Sequence, residues 1–219
     1  SGGLYDSEDY AAVDVRSLDT YALAINDSTT PYSIEEAFLY APGNFQVLSA
    51  MFERKTGGLD PVDYLYDRLF SRLGYNPDNI SWWTRDMIGK PQMGGGAFLT
   101  AREWAKYGQL FIQNGQWEGE QILDPEILSQ CIGYRNPTFL GFGYAWWLNV
   151  PTEDTYDVSI DRVPVSATED GTQMAANAPT DMYVAAGTGV QRLFVIPSLQ
   201  LVAVRFGQTI RDPDWSDHL

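Results

Sequence analysis

Few groups in this sequence can serve as strong nucleophiles or bases: one histidine, His218, one cysteine, Cys131, and three lysines, Lys55, Lys90 and Lys106. One cysteine and one histidine permit no intrachain disulfide and no Cys/His zinc cluster, and they all but remove a Ser-His-Asp triad. The string Lys55-Thr56-Gly57 closes a helix pattern and reads as a helix stop. Tyr40 stands just before a Pro42-Gly43 turn at a helix start; taken alone it is one of 13 tyrosines, with a place in the core or at a rim. Ala185-Ala186-Gly187-Thr188 reads locally as a glycine-broken strand edge or a hairpin. The acids Asp6, Glu8, Asp9, Asp14 and Asp19 lack the glycine-pivoted spacing of a calcium loop and read as a solvated face. The pairs Trp82-Trp83 and Trp146-Trp147 suit an apolar cleft or a sugar-stacking platform, but the expected arrangement sends one member of each pair to the core and one to the rim.

The elements that must position such groups belong to a globular chain. Its 219 residues are 44% hydrophobic, enough for one domain or two small subdomains. With 29 acidic against 14 basic residues the net charge is −15, which argues against nucleic acid or an anionic membrane surface as partner. The apolar runs are strand-length, short of the ~20 residues a membrane span needs. No leader-like run opens the sequence, and the expectation is a soluble chain whose compartment, cytoplasmic or periplasmic, is left open.

Residues 1 to about 32 read as irregular, acidic loop. Phe45, Leu48 and Phe52 predict an amphipathic helix over 44–56 that ends at Gly57-Gly58. Asp60-Pro61 opens a second helix, with Val62, Leu65, Leu69 and Leu73 on one face and Gly74 as its stop. A long connection over 75–96 follows, ending in Gly94-Gly95-Gly96. Thr100 to Glu103 forms a capping box for a third helix with Trp104, Tyr107 and Phe111 on one side and Gly115 beyond it. Asp124-Pro125 opens a fourth, which ends at Gly133. From there the composition turns strand-like over 144–148, 183–186, 190–196 and 199–206, and the last three segments predict an antiparallel meander. Residues 150–181 carry seven acids against one base, Arg162, and a loop of that length suggests a functional rim. Helices first and an antiparallel sheet second predict an α+β fold.

Three segments, read in order, resemble the serine β-lactamase-like hydrolases, and most closely the branch of 6-aminohexanoate-dimer hydrolases and related esterases. They are Ser1 to Tyr10, the box Phe38-Leu-Tyr40-Ala-Pro-Gly-Asn-Phe-Gln-Val-Leu48, and Gly94 to Gly108. The likeness continues through Gly115-Gln-Trp-Glu-Gly119, Phe142 to Leu148 and Ala186-Gly-Thr-Gly-Val-Gln191, and so covers nearly the whole chain. The resemblance implies acyl transfer, in which a serine activated by a lysine and a tyrosine attacks a carbonyl while backbone N–H groups hold the oxyanion. It implies that Tyr40 is the base and that the N–H of Thr188 is an oxyanion donor. It further implies that Tyr10, Gly187, Gly189 and Gln191 line the substrate, a small ester or amide, and that no cofactor or metal takes part.

Two departures bear on that expectation. No serine in the sequence has lysine three residues later, so the nucleophilic Ser/Lys pair is expected on a missing N-terminal segment or a second chain. Residues 1–219 then form a partial single β-lactamase/transpeptidase-like domain, a helical subdomain over about 1–135 and an antiparallel sheet over about 140–210, with an open edge strand and an uncovered apolar sheet face. Pro42, which has no side-chain amide, disfavours a true β-lactamase. The alternatives are a penicillin-binding-like scaffold that binds without chemistry and a carbohydrate-binding module built on the tryptophan pairs.

Overall fold

A computed structural model describes residues 17–26, 42–80, 83–135, 139–151, 173–175, 177–187 and 191–207. The chain divides into two compact units, Ser1–Thr100 and Ala101–Leu219. This division falls before the change of composition near residue 135, because the helix that opens the second unit packs on the sheet.

The first unit is helical. Its first helix, α1 (Thr20–Asn26), lies in the stretch expected to be irregular. Asp19 starts it by accepting the N–H of Ala22 at 2.9 Å, and Tyr21 and Ala24 are buried. Helix α2 (Gly43–Thr56) has the expected bounds and ends on a left-handed Gly57, φ +74°, but its inward side is Gly43, Gln46 and Ser49. The expected stripe of Phe45, Leu48 and Phe52 is not the buried one, and Leu48 is 59% exposed. Polar groups can take the inner face because they are paired: Ser49 donates to the Phe45 carbonyl at 2.7 Å, and Gln46 is bonded at both ends of its carboxamide.

Helix α3 (Pro61–Leu65) begins as expected, with the Asp60 carboxylate accepting the N–H groups of Val62 and Asp63. It runs into a π turn over Tyr66–Phe70, which keeps Val62, Leu69 and Leu73 inside, and a left-handed Gly74 follows. Within the expected connection, Pro77–Ile80 forms one further turn, α4. Residues 83–96 then fold back on themselves: Thr84 donates to Gly96, Gln92 to Thr84 and Asp86 to Lys90.

In the second unit α5 (Ala101–Ile112) lays Phe111, with Trp104 and Tyr107, on Leu148, Tyr183, Leu193 and Val195 of the sheet. A two-residue hairpin, β1 (Gln116–Trp117) and β2 (Glu120–Gln121), precedes α6 (Pro125–Gly133), which is capped by Asp124 as expected. The sheet is antiparallel in the order β3 (Trp147–Leu148), β4 (Tyr183–Gly187), β5 (Gln191–Ile196), β6 (Leu201–Arg205). The predicted meander is therefore present, and the first strand is shorter than the pattern 144–148. Ala145 has φ +63°, a conformation that strand residues avoid, and it delays pairing until Trp147.

Among the described residues β6 pairs only with β5, which makes it an edge strand. The uncovered sheet face does not extend to β5, where residues 192–196 are all buried; on β6 Leu201 is 44% exposed. Most of the acidic 150–181 segment lies outside the described residues. Its base is closed by the buried Asn149, whose carboxamide donates to the carbonyls of Ala175, Ala178 and Pro179 and accepts the N–H of Ala175.

Candidate active site

Strand β4 leaves the core as it runs. Tyr183 and Val184 are buried, Ala185 and Ala186 are half-buried, and Gly187 is exposed. On one side β5 pairs with it along its full length, Tyr183↔Val195 to Gly187↔Gln191. On the other side β3 pairs only with Tyr183 and Val184. The stretch Ala185 to Gly187 thus has one backbone edge without a strand partner among the described residues, where an extended carbonyl compound can lie against the main chain.

Gly187 and Gln191, two of the expected substrate-lining residues, are register partners at this strand end. A Cβ on Gly187 would stand 3.3 Å from Cβ of Gln191, a tight contact. The Gln191 carboxamide turns back across the sheet, donating to the Gly207 carbonyl at 2.8 Å and accepting the Gly207 N–H at 3.1 Å. It braces the strand end. Arg192 was not singled out from the sequence, although a cation within the apolar run 190–196 is a visible anomaly. Its buried guanidinium donates to the carbonyls of Gln191 at 2.9 Å and Gly187 at 3.3 Å, so it fixes the peptide planes where β4 ends. Tyr10, Tyr40, Thr188 and Gly189 lie outside the described residues.

Two residues after Tyr40 the chain enters α2 through Pro42. The loop carrying Gly94 approaches here so closely that a Cβ on Gly94 would stand 3.1 Å from the Pro42 carbonyl oxygen. The first unit also brings a serine, a tyrosine and a lysine near one another in Ser49, Tyr21 and Lys90, but this grouping is unsuited to acyl transfer. Ser49 spends its proton on its own helix. Burial, opposed by the Ser49 hydroxyl and reinforced by Glu53, Asp60 and Asp86, pushes the Tyr21 phenol up to about 12. Lys90 stands 5.5 Å from the Tyr21 ring centroid and is held by Glu53 at 2.5 Å. A base needs the opposite electrostatics.

The string Lys55-Thr56-Gly57 closes α2, with the Thr56 hydroxyl bonded to the Phe52 carbonyl at 2.8 Å. The expected division of tryptophans does not hold at 146–147. Trp146 and Trp147 are both buried, because Trp146 packs between α5 and β4 against Phe111 and Tyr183 while Trp147 meets Phe139 and Phe142. Trp83 is also buried and Trp82 lies outside the described residues. No metal-binding group of His, Cys, Asp and Glu occurs among the described residues, nor does any described helix have the length and apolarity to cross a membrane.

Comparison with solved structures shows a β-lactamase-like fold. A protein of Bacillus anthracis provisionally described as a 6-aminohexanoate-dimer hydrolase matches 90% of this chain with a TM-score of 0.66 at 18% identity, over 45% of its own length. A protein of Bacteroides dorei provisionally described as a β-lactamase matches 90% of the chain with a TM-score of 0.54 at 14% identity, over 60% of its length. The chain thus spans about half the length of these structures. No protein-family model and no curated protein sequence matches it.

Proposed function

We propose that this chain supplies the tyrosine base and the oxyanion strand of a serine hydrolase that cleaves small esters or amides through an acyl-enzyme. The observation that carries the proposal is the emergent end of β4, whose backbone edge at Ala185–Gly187 has no strand partner among the described residues, in a β-lactamase-like fold. In this reading the substrate carbonyl lies along that edge beside Gly187, and the N–H of Thr188 donates to the oxygen as it becomes an oxyanion. Tyr40 accepts the serine proton during attack and returns it to the leaving group. Tyr10, Gly189 and Gln191 border the substrate. The Ser/Lys pair comes from polypeptide outside these 219 residues, since no Ser-x-x-Lys occurs among them.

The test is Tyr40→Phe in the assembled protein. Loss of the phenolic proton carrier is expected to lower kcat for p-nitrophenyl ester hydrolysis by roughly two to four decades, the range for a positioned proton-transfer group. A folded variant whose activity stays within about threefold of the parent would remove Tyr40 from the base role.

A further inference from the structure

Arg192 interrupts the apolar run of β5, and local rules disfavour it there. Its side chain is buried, and a cation taken out of water is costly unless contacts inside offset the loss. The register sets it opposite Arg205 of β6, and like charges opposite each other weaken a sheet. The contacts it makes lie where β4 ends. Nη1 donates to the Gln191 carbonyl at 2.9 Å and to the Gly187 carbonyl at 3.3 Å. Paired strands lie ~4.8 Å apart, so two carbonyls served by one nitrogen cannot point to opposite edges of the pair. The Gly187 oxygen is therefore turned toward β5.

That carbonyl needs such a hold. Glycine restricts its own backbone least of all residues, and past Val184 the strand β3 no longer flanks β4, so neither sterics nor a second described strand fixes the peptide group that Gly187 opens. A trans peptide group is planar, with its N–H directed opposite to its C=O. An oxygen turned toward β5 thus leaves the N–H of the same group facing the edge that β3 does not pair, and this N–H is the proposed oxyanion donor. A charge-assisted bond to the carbonyl also polarises the amide and strengthens that N–H as a donor. We infer that Arg192 is a positioning residue for the reaction: by holding the Gly187 carbonyl it sets the plane of the last peptide group of β4 and aims the N–H of that group at the substrate edge. The inference rests on the reading of this edge as the oxyanion strand.

The test compares three variants in the assembled protein, by Tm, by kcat and KM for a p-nitrophenyl ester, and by inhibition with phenylboronic acid, whose tetrahedral serine adduct puts an oxygen in the oxyanion position. Arg192→Met keeps most of the length and loses both bonds. Its Tm should stay within about 5 °C of the parent's. Its kcat should fall about ten- to a hundredfold, short of the loss of a whole donor. Boronate affinity should fall in parallel, with KM within about threefold, because the bond is felt in the transition state. Arg192→Lys, one atom shorter and without the planar fork, should lie between Arg192→Met and the parent. Arg205→Met removes the cation opposite and should leave kcat and boronate affinity within about twofold. Parental kcat and boronate affinity in Arg192→Met overturn the inference, and so does an equal loss in Arg205→Met. If Arg192→Met does not fold, parental values in Arg192→Lys overturn it. A parent that forms no adduct with phenylboronic acid would instead remove the oxyanion strand, and the inference with it, so the two failures are told apart by whether the parent or only the variant departs from expectation.

Discussion

At the scale of single residues, satisfaction of buried polar atoms decides most of what is particular to this chain. Gln46, Asn149 and Asp86 are all buried, and each of their side chains accepts or donates at least three hydrogen bonds. The buried hydroxyls of Tyr21 and Tyr183 lack a partner among the described residues, and so does the carboxamide of Gln92. Its backbone carbonyl takes bonds from Gly96 N–H at 2.7 Å and from Trp83 Nε1 at 3.1 Å, but neither polar atom of its buried side chain has a partner among the described residues. An orphaned buried polar group costs about 1–3 kcal/mol, whereas an apolar group of the same shape escapes that cost. Gln92→Met, similar in volume and flexible enough to keep the contacts, should therefore leave stability unchanged or raise it by about 1 kcal/mol. Chemical denaturation of the purified protein reads this directly. A loss of more than about 1 kcal/mol would mean that an internal water or another stretch of polypeptide satisfies the amide.

At the scale of elements, α5 meets the sheet through a glycine as well as through the side chains of Trp104, Tyr107 and Phe111. A Cβ on Gly108 would stand 2.7 Å from Val202 Cγ1, 3.0 Å from Leu193 Cδ1 and 3.2 Å from Val195 Cγ2. Alanine in a helix interior gains roughly 1 kcal/mol over glycine by propensity. Overpacking against stiff β-branched neighbours costs about 1–3 kcal/mol, so Gly108→Ala should come out net destabilising by about 1 kcal/mol; a rise in Tm would show that helix and sheet can separate freely. The sequence could announce this helix and not its seat. Thr100 to Glu103, Asp60-Pro61, Asp124-Pro125 and the glycine stops are local signals, and those helix starts and ends are legible because capping depends on neighbours in the chain. The meander was legible for the same reason, since strands joined by short turns pair with each other. The inner face of α2 was not, because Gln46 becomes tolerable inside only once Pro91 and Met93 arrive from 45 and 47 residues away. Helix α1 was missed because its buried side is short, Thr20, Tyr21 and Ala24, and its docking depends on Asp86. In the candidate site, Gly187 was legible as a glycine-broken strand edge or a hairpin, whereas its pairing with Gln191 and the hold of Arg192 on the adjoining carbonyls follow only from the register of β4 with β5.

At the scale of the whole molecule, chemistry and architecture ask for the same thing. The sequence has no Ser-x-x-Lys and only three lysines, and in the described residues Lys90 is committed to Glu53. The fold matches 45% and 60% of the lengths of two β-lactamase-like structures. Strand β6 pairs on one side only among the described residues, and an edge of that kind is a template for another strand. An acyl-enzyme needs a nucleophile whose proton is removed by a neighbouring base, and Ser49, the serine beside Tyr21 and Lys90, is back-bonded to its own helix with the wrong electrostatics around it. Residues 1–219 incubated alone with a fluorophosphonate or a fluorescent penicillin should consequently gain no covalent adduct by intact-mass analysis. Combined or fused with the polypeptide that carries a Ser-x-x-Lys, the assembly should take up one equivalent, and peptide mapping should place it on that serine. The rate of labelling should fall with Tyr40→Phe in parallel with turnover, because the same proton must leave the serine in both reactions. A stoichiometric adduct on a serine within 1–219 would overturn the external nucleophile while keeping the hydrolase. Saturable, reversible retention of the penicillin with no adduct in the assembled protein would instead make this fold a ligand-binding scaffold.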